Sequence, residues 1–174
     1  MIDDDMLGPQ AADGAYVNLW MELLKHDVDL VAPLAFMRNP PHYPVCYAMR
    51  GGWDDLQQQD IRRQDCITNY PKGQLFECDA VGFGAVLIKT EVIKAVGRYP
   101  FMSTNPTGED LLFCVKAKKK GFRVFCDSAL CLKHLGPRQY IDEAWYERHD
   151  PKIESTRAAL GDWSPKKSES NLAS

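Results

Sequence analysis

No stretch of this 174-residue chain is apolar for the ~20 residues that a membrane-spanning helix requires. No charged-then-apolar leader opens it in the manner of a secretory signal. A basic excess is missing too: 21 Lys and Arg stand against 24 Asp and Glu, a net charge of −3, which excludes nonspecific nucleic-acid binding through a positive surface. The cysteines Cys46, Cys66, Cys78, Cys114, Cys126 and Cys131 show no CxxC spacing, so a structural zinc site is not expected. Most lie in apolar surroundings and are expected as buried free thiols, which suits a reducing, cytoplasmic setting. Internal repeats are absent. What remains, at 45% hydrophobic and 26% charged residues, is ordinary globular material of one-domain length with enough chain for a real core.

The most clearly bounded segment is Thr107-Gly108-Glu109-Asp110-Leu111-Leu112-Phe113 and its continuation. Thr107 is a good N-cap, and Asp110, three residues on, can answer it as a capping box. Leu111, Leu112 and Val115 give an apolar face, Lys118 to Lys120 fill the last turn, and Gly121 stands where a left-handed residue ends a helix. Glu109 and Asp110 thus occupy the positive first turn, whose field favours their ionised forms. They serve either as helix-terminus charges or as a proton-accepting pair.

At the start of the chain, Met1-Ile2 followed by Asp3-Asp4-Asp5 reads as a strand running out into a loop. Three consecutive acids are costly to gather unless a positive group sits among them. A divalent metal carrying a diphosphate would supply that charge, and a solvated acidic terminus would equally account for the residues. From Ala11 to His26, Tyr16, Leu19, Trp20, Leu23 and Leu24 recur at helical spacing. Val28 to Phe36 is a strand buried on both faces, ended by Arg38-Asn39-Pro40-Pro41. Strand, helix and strand in that order predict a βαβ unit and a mixed, mainly parallel sheet flanked by helices.

Tyr43 to Met49 predicts a short strand, Gly51 to Asp55 a turn, and Gln57 to Tyr70 an irregular excursion. His42, Asp54 and Asp55 fit a solvated loop there. Strands at Gln74–Cys78 and Ala85–Lys89 flank Val81-Gly82-Phe83-Gly84, where alternating glycines point to backbone brought close to another group. A helix over Thr90–Val96 ends at Gly97. Strands at Phe122–Cys126 and Ala129–Lys133 lead to His134, and a helix follows from Arg138 to Arg148, with a further turn or two over Glu154–Leu160. Beyond Gly161 the composition turns to Ser, Lys and Pro and predicts a disordered tail, leaving one domain over 1–160.

In order and spacing, Asp3-Asp4-Asp5, the AVGFGAVLIKTEVIKAVG stretch at 80–97, Gly108-Glu109-Asp110-Leu111 followed by KKKGFRVFCD, and His134 resemble nucleotide-sugar glycosyltransferases of the GT-A fold, family-2 type. The VDLVAPLAFMRNPP segment is similar to the strand that follows the metal motif in such enzymes. The resemblance covers about residues 1–137. It implies that Asp3 and Asp5 are the ends of a DxD motif, Asp5 binding Mn²⁺ or Mg²⁺ and Asp3 facing the ribose or the metal's water shell. Asp110 would be the catalytic base of an inverting enzyme, and Glu109 would orient it or contact the acceptor. His134 would complete the metal site. Asp3 and Asp4, with the Gly82-Phe83-Gly84 turn as a backbone wall, would face the nucleotide-sugar donor.

The implied reaction is a single displacement. A cation stabilises the leaving diphosphate, while Asp110 takes the proton of an acceptor hydroxyl whose class is not specified. Only Met1 and Ile2 precede Asp3, so the expectation is of the metal- and acceptor-side part of a longer or split enzyme. Its partner would be a separate N-terminal nucleotide-binding segment, or a second copy across an open strand edge. A noncatalytic remnant or binding module of the same fold is the alternative; a nuclease-like metal enzyme has no motif behind it.

Overall fold

Leu30–Leu34 (β2) is buried at every position, and its alternate side chains leave on opposite faces. Val31 and Ala35 join Leu19 and Leu23 of helix α1 (Leu19–Leu24) in one apolar cluster. Leu30, Ala32, Leu34 and Phe36 join a second, larger cluster. That cluster takes in Val92 of α2 (Thr90–Val96) and Leu111, Phe113, Cys114 and Ala117 of α3 (Glu109–Lys119). A sheet sandwiched between helical layers follows from that alternation.

The computed structural model describes residues 2–11, 14–49, 64–104, 107–136 and 139–149. Asp54 and Asp55, the stretch 57–63, the helical turn expected over 154–160 and the tail 161–174 lie outside the described residues.

The remaining elements are β1 (Met6–Leu7), β3 (Cys46–Met49), β4 (Gln64–Cys66), β5 (Leu75–Cys78), β6 (Ala80–Val81), β7 (Leu87–Ile88), β8 (Val124–Cys131), β9 (Lys133–Leu135), β10 (Tyr140–Ile141) and α4 (Glu143–His149). The central sheet runs β5-β8-β2-β7, with smaller sheets β1-β9-β10 and β4-β3-β6. The mixed sheet flanked by helices is as expected, but it is not mainly parallel. Among the described residues only β2 and β8 run together; β7 and β5 enter reversed, and both small sheets are antiparallel. A continuous apolar run specifies burial on both faces and carries no information on strand direction.

The predicted βαβ unit is replaced by other pairings. Ile2 bridges Ala85 and β1 pairs with β9, both antiparallel. The helix expected from Ala11 begins only at Leu19. Ala11 accepts from Gly14 N–H in a turn that needs Gly14 at φ +84, and Asn18 Oδ1 caps the helix by accepting from Met21 N–H at 3.3 Å. Tyr16, counted in the apolar stripe, is 67% exposed. The two strands expected over 122–133 are one, β8, which bulges where Pro33 pairs with Asp127 and Leu34 with Cys131; a proline inside a sheet belongs at such a break. The helix expected from Arg138 yields its first turn to β10 and starts after Asp142, whose Oδ1 accepts from Trp145 N–H at 2.8 Å. α2 ends at Gly97 as expected, and α3 at Gly121, φ +88. Among the described residues no helix is long and apolar enough to cross a membrane.

Candidate functional site

The pairing of β1 with β9 sets Met6 opposite His134, and Leu135 N–H donates to the Asp5 carbonyl at 2.9 Å. Asp5 and His134, distant in sequence, become neighbours. The His134 ring is oriented from both sides. Nδ1 lies 2.7 Å from the Phe36 carbonyl and Nε2 lies 3.1 Å from Asp5 Oδ2. A carbonyl only accepts, so Nδ1 carries the proton and donates. In the neutral ring Nε2 then presents a lone pair towards a carboxylate oxygen. Protonated, the ring donates Nε2–H to Asp5 and the two form an ion pair; neutral, it offers that nitrogen's lone pair beside the carboxylate, as a metal-ligating histidine with its outer N–H anchored does. Arg38 also approaches Asp5 Oδ2, at 3.6 Å.

The three acids turn around Asp3, whose N–H donates to the Gly84 carbonyl at 2.8 Å. Although Asp3 is exposed overall, its carboxyl is pushed above the ordinary carboxylate value. Partial desolvation contributes most, followed by repulsion from Asp5, Asp4 and Glu109; His134 opposes them. Asp3, Asp5, His134 and Glu109 therefore share one electrostatic neighbourhood.

Thr107 does not cap α3. It is buried and bridges Thr104, and the cap position falls on Gly108. Asp110 instead folds its carboxylate back onto the main chain, Oδ1 accepting from Leu111 N–H at 2.7 Å, with its own N–H and that of Phe83 near enough to favour its charge. A Cβ at position 108 would lie 2.8 Å from that Oδ1, so glycine leaves the space the carboxylate occupies. The helix field was expected to favour the ionised form. Burial outweighs it: the Asp110 carboxyl sits above its ordinary value, raised first by desolvation and further by Glu109, and held back by the backbone donors.

The Gly82-Phe83-Gly84 turn lies between the two acidic groups, the Gly84 carbonyl accepting from Asp3 N–H and the Phe83 N–H favouring the charge of Asp110. A Cβ on Gly82 would meet Val45 at 3.0 Å, the close backbone approach that the alternating glycines predicted. The Phe83 side chain is buried among Phe101 and Phe113, so only its main chain faces the acids. Asp4 is exposed at the turn.

Sequence reasoning missed Arg38 and the Phe36 carbonyl. A charged residue placed directly after a fully apolar strand was the available signal for the first; a backbone acceptor leaves none. Among the described residues no group of three or more His, Cys, Asp or Glu side chains is positioned to hold a metal ion. His42 bonds the Met37 carbonyl and packs edge-on to Trp145, a structural role. A surface groove of about 280 Å³ beside Leu23, Val28, Leu87 and Lys89 contains none of the candidate residues.

The class defined so far is a mixed α/β fold that gathers an Asp–His pair and an acidic helix start about a glycine turn. No family model matches the chain, and no curated protein does. Among solved structures it is similar to the crystal structure of A197 from STIV, with a TM-score of 0.47 and 17% identity over 77% of this chain. The likeness spans 55% of that protein's length and at this level says nothing of what the present chain does.

Proposed function

We propose that the chain is the metal- and acceptor-side part of a GT-A-type glycosyltransferase, moving a sugar from a nucleoside diphosphate to an acceptor hydroxyl with inversion. The observation that carries the reading is the His134 ring, its Nδ1 proton committed to Phe36 and its Nε2 turned to Asp5 at 3.1 Å. Asp5 and His134 would hold Mn²⁺ or Mg²⁺, hard cations suited to oxygen and imidazole donors, with Asp3 alongside. Bound there, the cation supplies Lewis-acid stabilisation of the charge on the departing diphosphate.

The chain's own residues do the rest. Asp110, desolvated and therefore a stronger proton acceptor, takes the acceptor hydroxyl's proton, and Leu111 N–H, 2.7 Å from Oδ1, holds its carboxylate in place. Glu109, exposed beside it, orients the acceptor. The glycine turn ties Asp3 and Asp110 to a common backbone and, with Asp4, borders the donor sugar. Free thiols at all six cysteines favour a reducing, cytoplasmic setting.

Calorimetric titration with Mn²⁺ alone tests the metal site, and a chain that lacks its nucleotide-binding part should bind nucleoside diphosphates poorly. Asp5→Ala and His134→Ala should each abolish Mn²⁺-dependent binding, and Arg38→Ala should leave it. Metal-dependent affinity kept in either of the first two removes the metal assignment. Arg38, 3.6 Å from the same Asp5 oxygen, favours a second reading, a binding module in which that pair neutralises Asp5 without metal. On that reading no variant, nor the parent chain, binds Mn²⁺.

A further inference from the structure

Asp5 Oδ2 is shared by two side chains from distant parts of the chain, His134 Nε2 at 3.1 Å and an Arg38 guanidinium nitrogen at 3.6 Å. The turn that carries Arg38 is well tied. Phe36 bridges Pro44, and Met37 N–H donates to the Tyr43 carbonyl at 2.9 Å. His42 closes the turn, its N–H donating to the Asn39 carbonyl at 3.0 Å and its ring Nδ1 lying 2.9 Å from the Met37 carbonyl. Trp145 of α4 packs edge-on against that ring. Backbone bonds thus bring the root of Arg38 to the Asp5–His134 pair, whereas its side chain is 53% exposed and has water to turn into.

The Arg38–Asp5 contact is loose. At 3.6 Å it is an ion pair without a directed hydrogen bond, and a pair this exposed is weak. That weakness decides what it can do. A tight, buried clamp would hold Asp5 permanently, but a weak pair yields to a stronger cation. A guanidinium keeps its charge over the working pH range, so a change of pH does not release it. Competition for the oxygen does, because a divalent ion and a guanidinium on one carboxylate oxygen repel each other, and the doubly charged ion is drawn to it more strongly.

Resting on the reading of Asp5 and His134 as metal ligands, we propose that Arg38 is an autoinhibitory counter-cation, paired with Asp5 in the unloaded site and displaced into water when a divalent cation takes that oxygen. Loading is then an exchange of cations on Asp5, and the Arg38 pair sets the metal concentration at which it occurs. Calorimetric titration of the parent chain, Arg38→Gln and Arg38→Lys with Mn²⁺ is the first test. Arg38→Gln should bind about two- to fivefold more tightly, the factor that release from an exposed ion pair converts to. Arg38→Lys keeps the charge and should stay near the parent, and added salt should narrow the gap between parent and Arg38→Gln. Phenylglyoxal, which modifies accessible guanidinium groups, tests the displacement itself. Mg²⁺ should speed modification of Arg38, read by peptide mass spectrometry, and leave the rate at Arg123, which is bonded to Glu77, unchanged. Equal or weaker Mn²⁺ affinity in Arg38→Gln, or modification of Arg38 that Mg²⁺ does not speed, removes the counter-cation role and leaves the metal assignment standing. Failure of every chain to bind Mn²⁺ overturns both.

Discussion

Asp110 sits under opposed influences, burial raising its proton affinity and three backbone N–H donors lowering it, with burial the stronger. Two consequences follow for this residue. Asp110→Asn keeps the size and loses the basic oxygen, so donor binding should survive while transfer falls by about 10²–10⁴, the usual share of a positioned base. Steady-state rates with an active donor and acceptor pair decide it; an unchanged rate reduces Asp110 to a helix-start residue. The second consequence concerns stability. Because the folded carboxyl holds its proton above the unfolded value, the folded state binds more protons between the two, and stability falls as pH rises through that window. Below the unfolded value of about 3.9 the group contributes nothing to the pH dependence. The melting temperature of Asp110→Asn relative to the parent should therefore climb as pH rises from that value through the raised one. A difference that stays flat would show that burial does not raise this carboxyl. The Glu109–Asp110 pair at a helix start was legible in sequence because helix ends have sharp chemical signatures. Burial of Asp110 was not, since it depends on segments distant in the chain.

Among the elements, α1 offers the cleanest separation of stability from function. Leu23 is fully buried against Val31 and Ala35, in the cluster on the far side of β2 from α3. Leu23→Ala should cost about 2–5 kcal/mol, transfer plus cavity, read from the urea midpoint. The Mn²⁺ affinity of the folded protein should not change. A loss of metal affinity beyond the loss of folded protein would mean that α1 helps to shape the site. Helices were legible where their ends carried Gly97 and Gly121, and misjudged at Ala11 and Arg138, where apolar spacing continued through segments that pair as strands or turns. Periodicity cannot see that Asn18 and Asp142 were the residues able to start those helices.

For the molecule as a whole, the six free cysteines are a record of burial. Cys46, Cys78, Cys114 and Cys126 are buried, and burial pushes the thiols of Cys66, Cys114 and Cys131 up to about 12 and those of Cys78 and Cys126 well above the ordinary value. The thiolate is the reactive form, so alkylation by iodoacetamide at neutral pH, counted by mass spectrometry, should be slow in the native protein and complete after unfolding. Rapid labelling of several cysteines without denaturant would contradict the packing described.

By itself the sequence determined the layered α/β class, the two-faced burial of β2, the bounds of α2, and the nature of the acids and histidine available for chemistry. These are local matters, settled by burial pattern, capping and side-chain type. Tertiary structure alone decided strand direction, the single parallel ladder among the described residues and the seating of the His134 ring between Asp5 and the Phe36 carbonyl. It also turned the Phe83 ring into the core and its N–H to Asp110. Pairings of that kind join residues far apart in the chain, and their free energy depends on every other contact formed with them, which no window along a sequence contains.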